Sequence, residues 1–398
     1  MRHFAHVVGR SDVRLWSLSA NERIRRQLTQ TGDVTLVDTL DAVPANASVL
    51  LLRADFLYEV RTLKALLERT DTVLRHGPSG VCAGAITDAA TAPRLRDVLL
   101  GETELPAQAS TVVPDELGAF DHQLRKAKAP LLEPVSAERQ RALEALLYGT
   151  SYKGITDLVT KFVWPRPARH VVRFCATLGI TPNMVTALSL ALMLWTCYLF
   201  ANGQFALGLA SGWVMTFLDT VDGKLARVTI RSSRFGHVLD HGMDLIHPPF
   251  WYYLWGTALI GYQPLMGLGL ADLNVLIIGG YLVGRAVEGL FHLLGDASIF
   301  SWRPFDAYFR LITARRNPCI ILLSASLVVA RPDWGLVAVA LWTAGTSALL
   351  IVRLLQGMAA RVRSGPLQSW LADPETAAAR HPRAYRLFSG TQSAYASA

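Results

Sequence analysis

Apolar positions are spread unevenly along the chain. Residues 1–130 hold short β-branched or aliphatic runs, HFAHVVG at 3–9, DVTLVD at 33–38 and ASVLLLRADF at 47–56. Between and after them lie segments with helical apolar spacing, ANERIRRQLTQTG at 20–32 and EVRTLKALLER at 59–69. Strand-like runs alternating with helical ones predict an α/β domain with a mainly parallel sheet. Gly32 stands where the first helix would be capped. Beyond Arg173 the pattern changes: positions 174 to 218, 45 residues, carry no charge at all. That length suffices for two membrane crossings of about 20 residues. They are predicted at 183–200 and 205–218, with a turn at 201–204. Four more apolar stretches predict crossings at 235–260, 273–294, 317–330 and 336–354, making six.

Charge orients these helices. Arg173, Arg227, Arg231, Arg234, Arg303, Arg310, Arg315, Arg316, Arg353, Arg361 and Arg363 fall on the side of the N-terminal region. The opposite loops at 201–204 and 261–271 have no Lys or Arg, and 331–333 has only Arg331. The positive-inside rule therefore puts the N-terminal side in the cytoplasm. A connector at 138–173 is basic and aromatic, with Phe162, Val163 and Trp164 among Lys161, Arg166, Arg169 and Arg173, a composition that suits a helix lying in the membrane interface. The segment after Gly365 is polar and rich in Pro and Ala, and is expected to be loosely ordered.

Composition narrows the class. Of 398 residues, 51% are apolar and only 18% charged, with a formal net charge of +8. Soluble domains average about 25% charged residues. So charge-poor a chain is neither disordered nor a nucleic-acid coat, and no nucleic-acid partner is expected. Cys82, Cys175, Cys197 and Cys319 lack C-x-x-C spacing, which excludes a zinc ribbon. Residues 1–20 mix Arg, His and Asp without an apolar core, so no signal peptide is expected.

The chemistry concentrates in DTVDGKLARVTIRSSRFGHVLDHGMD, from Asp219 to Asp244. Asp219 and Asp222 are three apart at the end of the second apolar helix; Asp240 and Asp244 are four apart on the third and share a face. Carboxylates at membrane depth are costly and by default functional. Four of them converging would repel unless cations neutralised them, and oxygen-only ligands select magnesium or manganese. Four carboxylates can bridge two ions, an arrangement suited to displacement at phosphorus. Gly223, Ala226 and Gly236 leave room beside the helix backbones, Arg227 can neutralise a phosphate, and Ser232 and Ser233 offer hydroxyls. Taken singly, these Asp residues also read as a solvated loop or as a salt-bridge cluster with Arg227, Arg231 and Arg234.

As a whole the segment reads D-x2-D-G-x2-A-R-x8-G-x3-D-x3-D without departure. It resembles the signature of the CDP-alcohol phosphotransferase (CDP-alcohol phosphatidyltransferase) family, integral membrane enzymes of phospholipid biosynthesis. The resemblance covers roughly residues 150–355. It implies six transmembrane helices preceded by an amphipathic helix. It implies that Asp219, Asp222 and Asp240 hold metal ions, and that Asp244 completes the metal site and is the base toward an acceptor hydroxyl. Gly223, Ala226 and Arg227 would line the CDP site, with Gly236 admitting the third helix and Ser233 reaching donor phosphate. Thr181-Pro182-Asn183 with Thr186 resembles the family's entry to the first membrane helix, which places Asn183 and Thr186 near the nucleotide; Pro182 is also plain capping chemistry. The implied reaction is attack of the acceptor hydroxyl on the β-phosphorus of a CDP-alcohol with release of CMP.

Two further features bear on substrates. Arg285 and Glu288 lie three apart within the fourth apolar helix and read as a structural pair, although Arg285 could face the cavity. ITARRNP resembles the segment that contributes to the acceptor pocket of relatives with phosphorylated acceptors, which makes Arg310, Arg315 and Arg316 acceptor candidates; they are equally topological charge. The N-terminal region resembles the GT-A-like nucleotidyltransferase domain of archaeal proteins that fuse an inositol-phosphate cytidylyltransferase to a di-inositol-phosphate-phosphate synthase. The Gly-rich turn and Lys that would grip CTP are missing from HVVGRSDVRLWSLS, and only Asp55 matches a metal-binding position, so this domain is expected to be inactive.

The expected organisation is therefore a soluble α/β domain at 1–135, a connector with an interfacial helix at 136–175, an α-helical polytopic membrane domain at 176–358 and a polar tail at 359–398. A homodimer in the cytoplasmic membrane, with the N-terminal domain and active site facing the cytoplasm, is expected. The first-choice donor is CDP-diacylglycerol, with a polyol or inositol phosphate as acceptor. A CDP-inositol-type soluble donor is the alternative. A transporter would show inverted repeats or broken helices in both halves, and a scaffold would not need four acidic residues at this spacing.

Overall fold

In the computed structural model, residues 3–32, 34–117, 120–121, 126–127, 130–231 and 234–390 are described, with the backbone alone at 120–121, 126–127, 234–235 and 237–241. The N-terminal region is an α/β domain. Its strands are β1 (His3–Val8), β2 (Val34–Val37), β3 (Ser48–Arg53), β4 (Phe56–Tyr58), β5 (Thr72–Arg75), β6 (Cys82–Asp88) and β7 (Ser110–Val112), with the short β8 (Phe120–Asp121), β9 (Lys126–Ala127) and β10 (Leu132–Pro134). Helices α1 (Ala20–Leu28), α2 (Val60–Leu67) and α3 (Ala92–Leu100) connect them. The main sheet runs β2-β1-β3-β6-β5-β7. β1 is parallel to β2 and β3, and β5 is parallel to β7, while β6 is antiparallel to both its neighbours.

The burial of β3 follows from the two-residue period of a strand. Leu50 and Leu52 pack with Ile24, Leu28, Leu63 and Leu66 of α1 and α2 on one face. Val49 and Leu51 pack with Leu95, Val98 and Leu99 of α3 on the other. A strand covered on both faces has no polar side, which explains its continuous aliphatic run. α1 is shorter than expected: it ends at Leu28 with Thr29 as its cap, and Gly32 (φ 126°) lies in the turn beyond.

The rest is helical: α4 (Gln140–Thr150), α5 (Pro165–Leu178), α6 (Pro182–Ala201), α7 (Phe205–Val228), α8 (Arg234–Thr257), α9 (Leu270–Asn274), α10 (Gly280–Phe291), α11 (Pro304–Ile312), α12 (Arg316–Val328), α13 (Pro332–Ser364), α14 (Pro374–Arg380) and α15 (Pro382–Phe388). A helix occupies each of the six expected crossing positions. Among the described residues, three segments are long and apolar enough to cross a membrane: Pro182–Ala201, Leu270–Leu294 and Pro332–Ser364. A fourth arises if α11 and α12, bent by 44°, form one span. α7 begins with an apolar stretch, but its last turns carry Asp219, Asp222, Lys224 and Arg227.

α6 buries Thr186, Ser189 and Thr196 together with Val185, Leu199 and Phe200, and leaves Met184, Leu188, Trp195 and Tyr198 exposed. Exposed apolar side chains, with small hydroxyl residues among those at the helix contacts, are the pattern of helices packed within lipid. Close approach explains one glycine: a Cβ on Gly208 of α7 would stand 2.4 Å from the Phe200 ring of α6.

The segment after Gly365 departs from expectation: it is folded through residue 390. Leu367 donates its N–H to the Leu294 carbonyl (3.1 Å), and Trp370 N–H reaches the Ser301 carbonyl (3.1 Å). Leu371, Ala384 and Phe388 join Phe291, Phe300 and Trp302 in one buried cluster. Asp306, itself buried, accepts two bonds from Arg353 (2.6 and 2.7 Å) and ties α11 to α13 beside it. A handful of apolar side chains in an otherwise polar tail thus seals the α10–α11 connection. Truncating the fully buried Phe388 to Ala should destabilise the protein by about 3–5 kcal/mol, read as a lower denaturation midpoint in detergent; an unchanged midpoint would mean that this segment does not contribute to the fold.

Candidate functional site

α7 and α8 bring the acidic residues together near the N-terminus of α12. Asp222, 5% exposed, accepts a hydrogen bond from the Thr186 hydroxyl of α6 (2.6 Å). Asp219, one turn earlier, accepts from Arg316 Nη2 (2.5 Å). The other nitrogen of the same guanidinium, Nη1, donates to Asp244 of α8 (2.6 Å). One cation thus touches carboxylates on two helices. Asp219 is the more enclosed of the pair, with 14% of its side chain exposed against 47% for Asp244. Asp240 stands one helical turn before Asp244 on the backbone of α8; its side chain lies outside the described residues, as do Ser232 and Ser233.

The local sequence of α8 explains how Asp244 is held. Pro248 and Pro249 lie inside the helix. Neither has an N–H, so the carbonyls four residues back, at Asp244 and Leu245, lose their helical partners. The Tyr281 hydroxyl of α10 reaches both, at 3.2 and 2.9 Å. The Pro-Pro pair was a visible signal for displaced carbonyls, but nothing local pointed to Tyr281 as their partner.

Of the expected nucleotide residues, Gly223, Ala226 and Arg227 lie in the last turns of α7, Asn183 and Thr186 on α6 and Gly236 on α8. Among the described residues, packing does not force Gly223 to be small: a Cβ there would meet the Arg227 side chain, at 3.8 Å. Arg227 Nη1 donates to the Ser151 carbonyl at the end of α4 (3.0 Å). Lys224, which the motif leaves unspecified, is buried and donates to the same carbonyl (3.0 Å) while lying 3.3 Å from the Tyr152 ring centroid. Ala226 sits one residue before Arg227, and Gly236 is in the first turn of α8. Asn183 is exposed on the first turn of α6, where Thr181 caps the helix by accepting from Met184 N–H (3.3 Å).

The three acceptor candidates take different positions. Arg316 is in the carboxylate group, as above. Arg315 donates to both oxygens of Glu288, which also lies 3.5 Å from Arg285. This trio lines a narrow cleft with Tyr281, Gly284 and Ser347. Arg310 packs over the Phe300 ring (5.4 Å). Near it lies Asp157, a buried carboxylate that the sequence did not single out. Asp157 accepts from the N–H groups of Val159 (3.1 Å) and Thr160 (3.0 Å) and from Asn317 Nδ2 (3.0 Å), next to Arg316. Burial pushes its pKa up, but the charge of Arg310 and these hydrogen bonds outweigh that and leave it below the usual value.

The donor set is chemically uniform. Asp219, Asp222, Asp244 and the Thr186 hydroxyl offer oxygen alone, which fits a hard divalent cation. Asp219 and Asp244 already share one positive charge. Among the described residues, no three His, Cys, Asp or Glu side chains form a ready metal-binding group, a set that leaves out Asp240.

The family model for CDP-alcohol phosphatidyltransferase matches residues 179–294. The chain is similar to an archaetidylinositol phosphate synthase from Pyrococcus horikoshii, 35% identical over 120 residues, which are 30% of this chain and 59% of that protein. It is also similar to a cholinephosphotransferase 1 from Danio rerio, 27% identical over 132 residues, covering 30% of this chain and 32% of the relative. A cholinephosphotransferase 1 from Xenopus laevis is 29% identical over 133 residues, covering 29% and 30%. The chain thus spans 59% of the first relative's length and about a third of the others.

The Asp157 network yields a stability prediction. Its folded pKa is depressed, so its contribution is present above the unfolded value of about 3.9 and is lost as pH falls through the folded value. Asp157→Asn should cost about 3 kcal/mol at pH 7, because Arg310 then loses the strongest of its neighbouring negative charges. The gap between variant and wild type should close below about pH 4. Thermal unfolding at pH 7 and at low pH checks this, and a gap independent of pH would contradict it.

Proposed function

Starting from a CDP-alcohol phosphatidyltransferase domain at residues 179–294, we propose that the protein transfers a phospho-alcohol group from a CDP-alcohol to an acceptor hydroxyl and releases CMP. The observation that carries the reading is the convergence of Asp219 and Asp244, on two helices, onto the single guanidinium of Arg316. The apolar helices and the family match mark a membrane protein. Six crossings with the soluble domain on the cytoplasmic side are part of the proposal, supported by the arginine distribution.

Asp219, Asp222, Asp240 and Asp244 would hold two divalent cations, magnesium or manganese. Such ions, when bound, neutralise the pyrophosphate and the charge developing on CMP. Asp244 is the base: it is the more exposed carboxylate, and Tyr281 holds its backbone. It takes the proton from the acceptor hydroxyl as that oxygen attacks the β-phosphorus. The bond from the β-phosphorus to the bridging oxygen breaks, and CMP leaves with the electron pair. Thr186 orients Asp222 through its hydrogen bond. Gly223, Ala226, Arg227, Gly236, Ser233 and Asn183 line the donor side, with the bare backbone at Gly223 letting the nucleotide approach α7.

CDP-diacylglycerol is the first-choice donor. A phosphorylated polyol as acceptor is supported by the similarity to an archaetidylinositol phosphate synthase. The Arg285–Glu288–Arg315 group supports the same choice, since releasing Arg315 from Glu288 would present a fork suited to phosphate. The soluble domain has no nucleotidyltransferase activity in this reading. Its Asp55 is gripped by Arg53 through two bonds (2.9 and 2.6 Å), and the loop after β1 has no phosphate-binding glycine turn.

Purified protein should release CMP from CDP-diacylglycerol in the presence of magnesium and a phosphorylated polyol, and chelation should stop it. Asp219→Asn, Asp222→Asn and Asp240→Asn should each lower kcat by about 10³-fold or more, the scale for loss of an electrostatic stabiliser. Near-normal turnover by Asp222→Asn at saturating magnesium would sink the metal assignment. Arg315→Ala should raise the acceptor KM by about tenfold or more, for one lost charge-assisted contact of about 1.5–3 kcal/mol. The donor KM should stay the same; equal effects on both substrates would make Arg315 structural.

A further inference from the structure

The loop between β1 and α1, which lacks a nucleotide-gripping glycine turn, is planted in the helical half of the protein. Leu15 and Leu18 exchange backbone hydrogen bonds (3.0 and 3.1 Å), and between them Trp16 and Ser17 both have positive φ, 52° and 64°. This is the geometry of a tight primed turn, which normally takes Asn or Gly. Two ordinary residues are held there because Trp16 is anchored. It is 2% exposed and lies among Tyr148, Val172, Val221 and Leu225, with its ring 5.9 Å from that of Tyr148. Its backbone N–H and its indole N–H donate to the side chain and the carbonyl of Glu144 on α4, both at 3.0 Å.

Two turns of α1 then reach the end of α7. Arg23, 5% exposed, donates from Nη2 to the Leu15 carbonyl (2.8 Å) and to the Val228 carbonyl (3.2 Å). Arg26 donates to the Thr229 carbonyl (2.7 Å), with Glu22 bracing it (2.7 Å). The last carbonyls of a helix have no partner within it, and here the soluble domain supplies the donors. Positive charge at this end also complements the helix dipole.

The turn so held is itself strained. Arg231 N–H closes back on the Ala226 carbonyl (2.9 Å), and Ile230 occupies the left-handed position at φ 51°. That position ordinarily takes glycine, and a β-branched side chain there is disfavoured. Immediately before this turn stand Gly223, Ala226 and Arg227; after it comes the helix of Asp240 and Asp244. Arg310 and Arg315 lie on other elements.

We propose that Trp16, Arg23 and Arg26 form an intramolecular clamp on the turn between α7 and α8, through which the soluble domain sets donor affinity in the membrane half. The clamp stands on the contacts alone; its effect on donor affinity rests on the function proposed above. Arg23 and Arg26 are positioning residues, since they act through the Val228 and Thr229 carbonyls at the end of α7.

The test uses the full-length protein in detergent and the variant Arg23→Met/Arg26→Met, which keeps the side-chain stems and removes the donors. Hydrogen–deuterium exchange at Thr229, Ile230 and Arg231 should accelerate about tenfold, and with CDP-diacylglycerol the donor KM should rise about tenfold while the acceptor KM stays within about twofold, the scale for lost hydrogen bonds to one helix end. Adding Ile230→Gly, which relieves the left-handed strain, should restore both exchange protection and donor KM. If the double variant does not fold, Arg26→Met alone, which loses the bond to Thr229, carries the same measurements at smaller amplitude. Unchanged exchange in a folded variant overturns the clamp. Faster exchange with an unchanged donor KM, or with both KM values raised together, overturns its role in donor binding. If the wild-type protein releases no CMP from any CDP-alcohol, the functional reading fails, and the exchange experiment still decides the clamp.

Discussion

Placing several carboxylates at one end of an apolar helix bundle is the constraint on which the rest of this structure depends. Each such group is costly unless it is paired or hydrogen-bonded. The bundle meets the cost with Thr186 on Asp222 and with Arg316 spanning Asp219 and Asp244. Three helices, α7, α8 and α12, are thereby tied at one point. The Pro248–Pro249 break in α8 and its repair by Tyr281 bring a fourth element, α10, to the same place. The polar pairs near this point thus determine which helices meet there, while exposed apolar side chains face outward.

Around this point the chain adds two supports that a minimal bundle would lack. On one side the soluble domain inserts Trp16 and two arginines against α4 and α7. On the other, residues 366–390 close over the α10–α11 connection through Leu371 and Phe388. Both supports act on irregular backbone, a strained turn at Ile230 in one case and the Gly295–Leu367 bridge in the other. Irregular backbone beside a charged site needs partners from elsewhere, because its own polar groups are not satisfied within a helix.

Much of this was legible in the sequence, for local reasons. Gaps in charge located α6, α7, α8, α10, α12 and α13, and short β-branched or aliphatic runs located β1, β2 and β3. The spacing of Asp219 and Asp222, and of Asp240 and Asp244, follows directly from helical periodicity. What was not legible depends on contacts between distant parts of the chain. Arg316 looked like topological or acceptor charge, and only the fold brings it to Asp219, 97 residues away. Asp157 had no motif around it, and its partner Asn317 is 160 residues off. The tail after Gly365 looked loosely ordered because its apolar residues are few and show no period, yet Leu367, Leu371 and Phe388 meet at one cluster. Trp16 sat in a loop read only for what it lacked.

The central claim is that carboxylates from α7 and α8 form one site for divalent cations. Titration of the purified protein with manganese(II), followed by the loss of the free-ion electron paramagnetic resonance signal, tests it without any substrate. The account predicts saturable binding of two ions to the wild type, and loss of at least one of them in Asp222→Asn and in Asp240→Asn. Binding that is absent from the wild type, or that is unchanged in both variants, would contradict it.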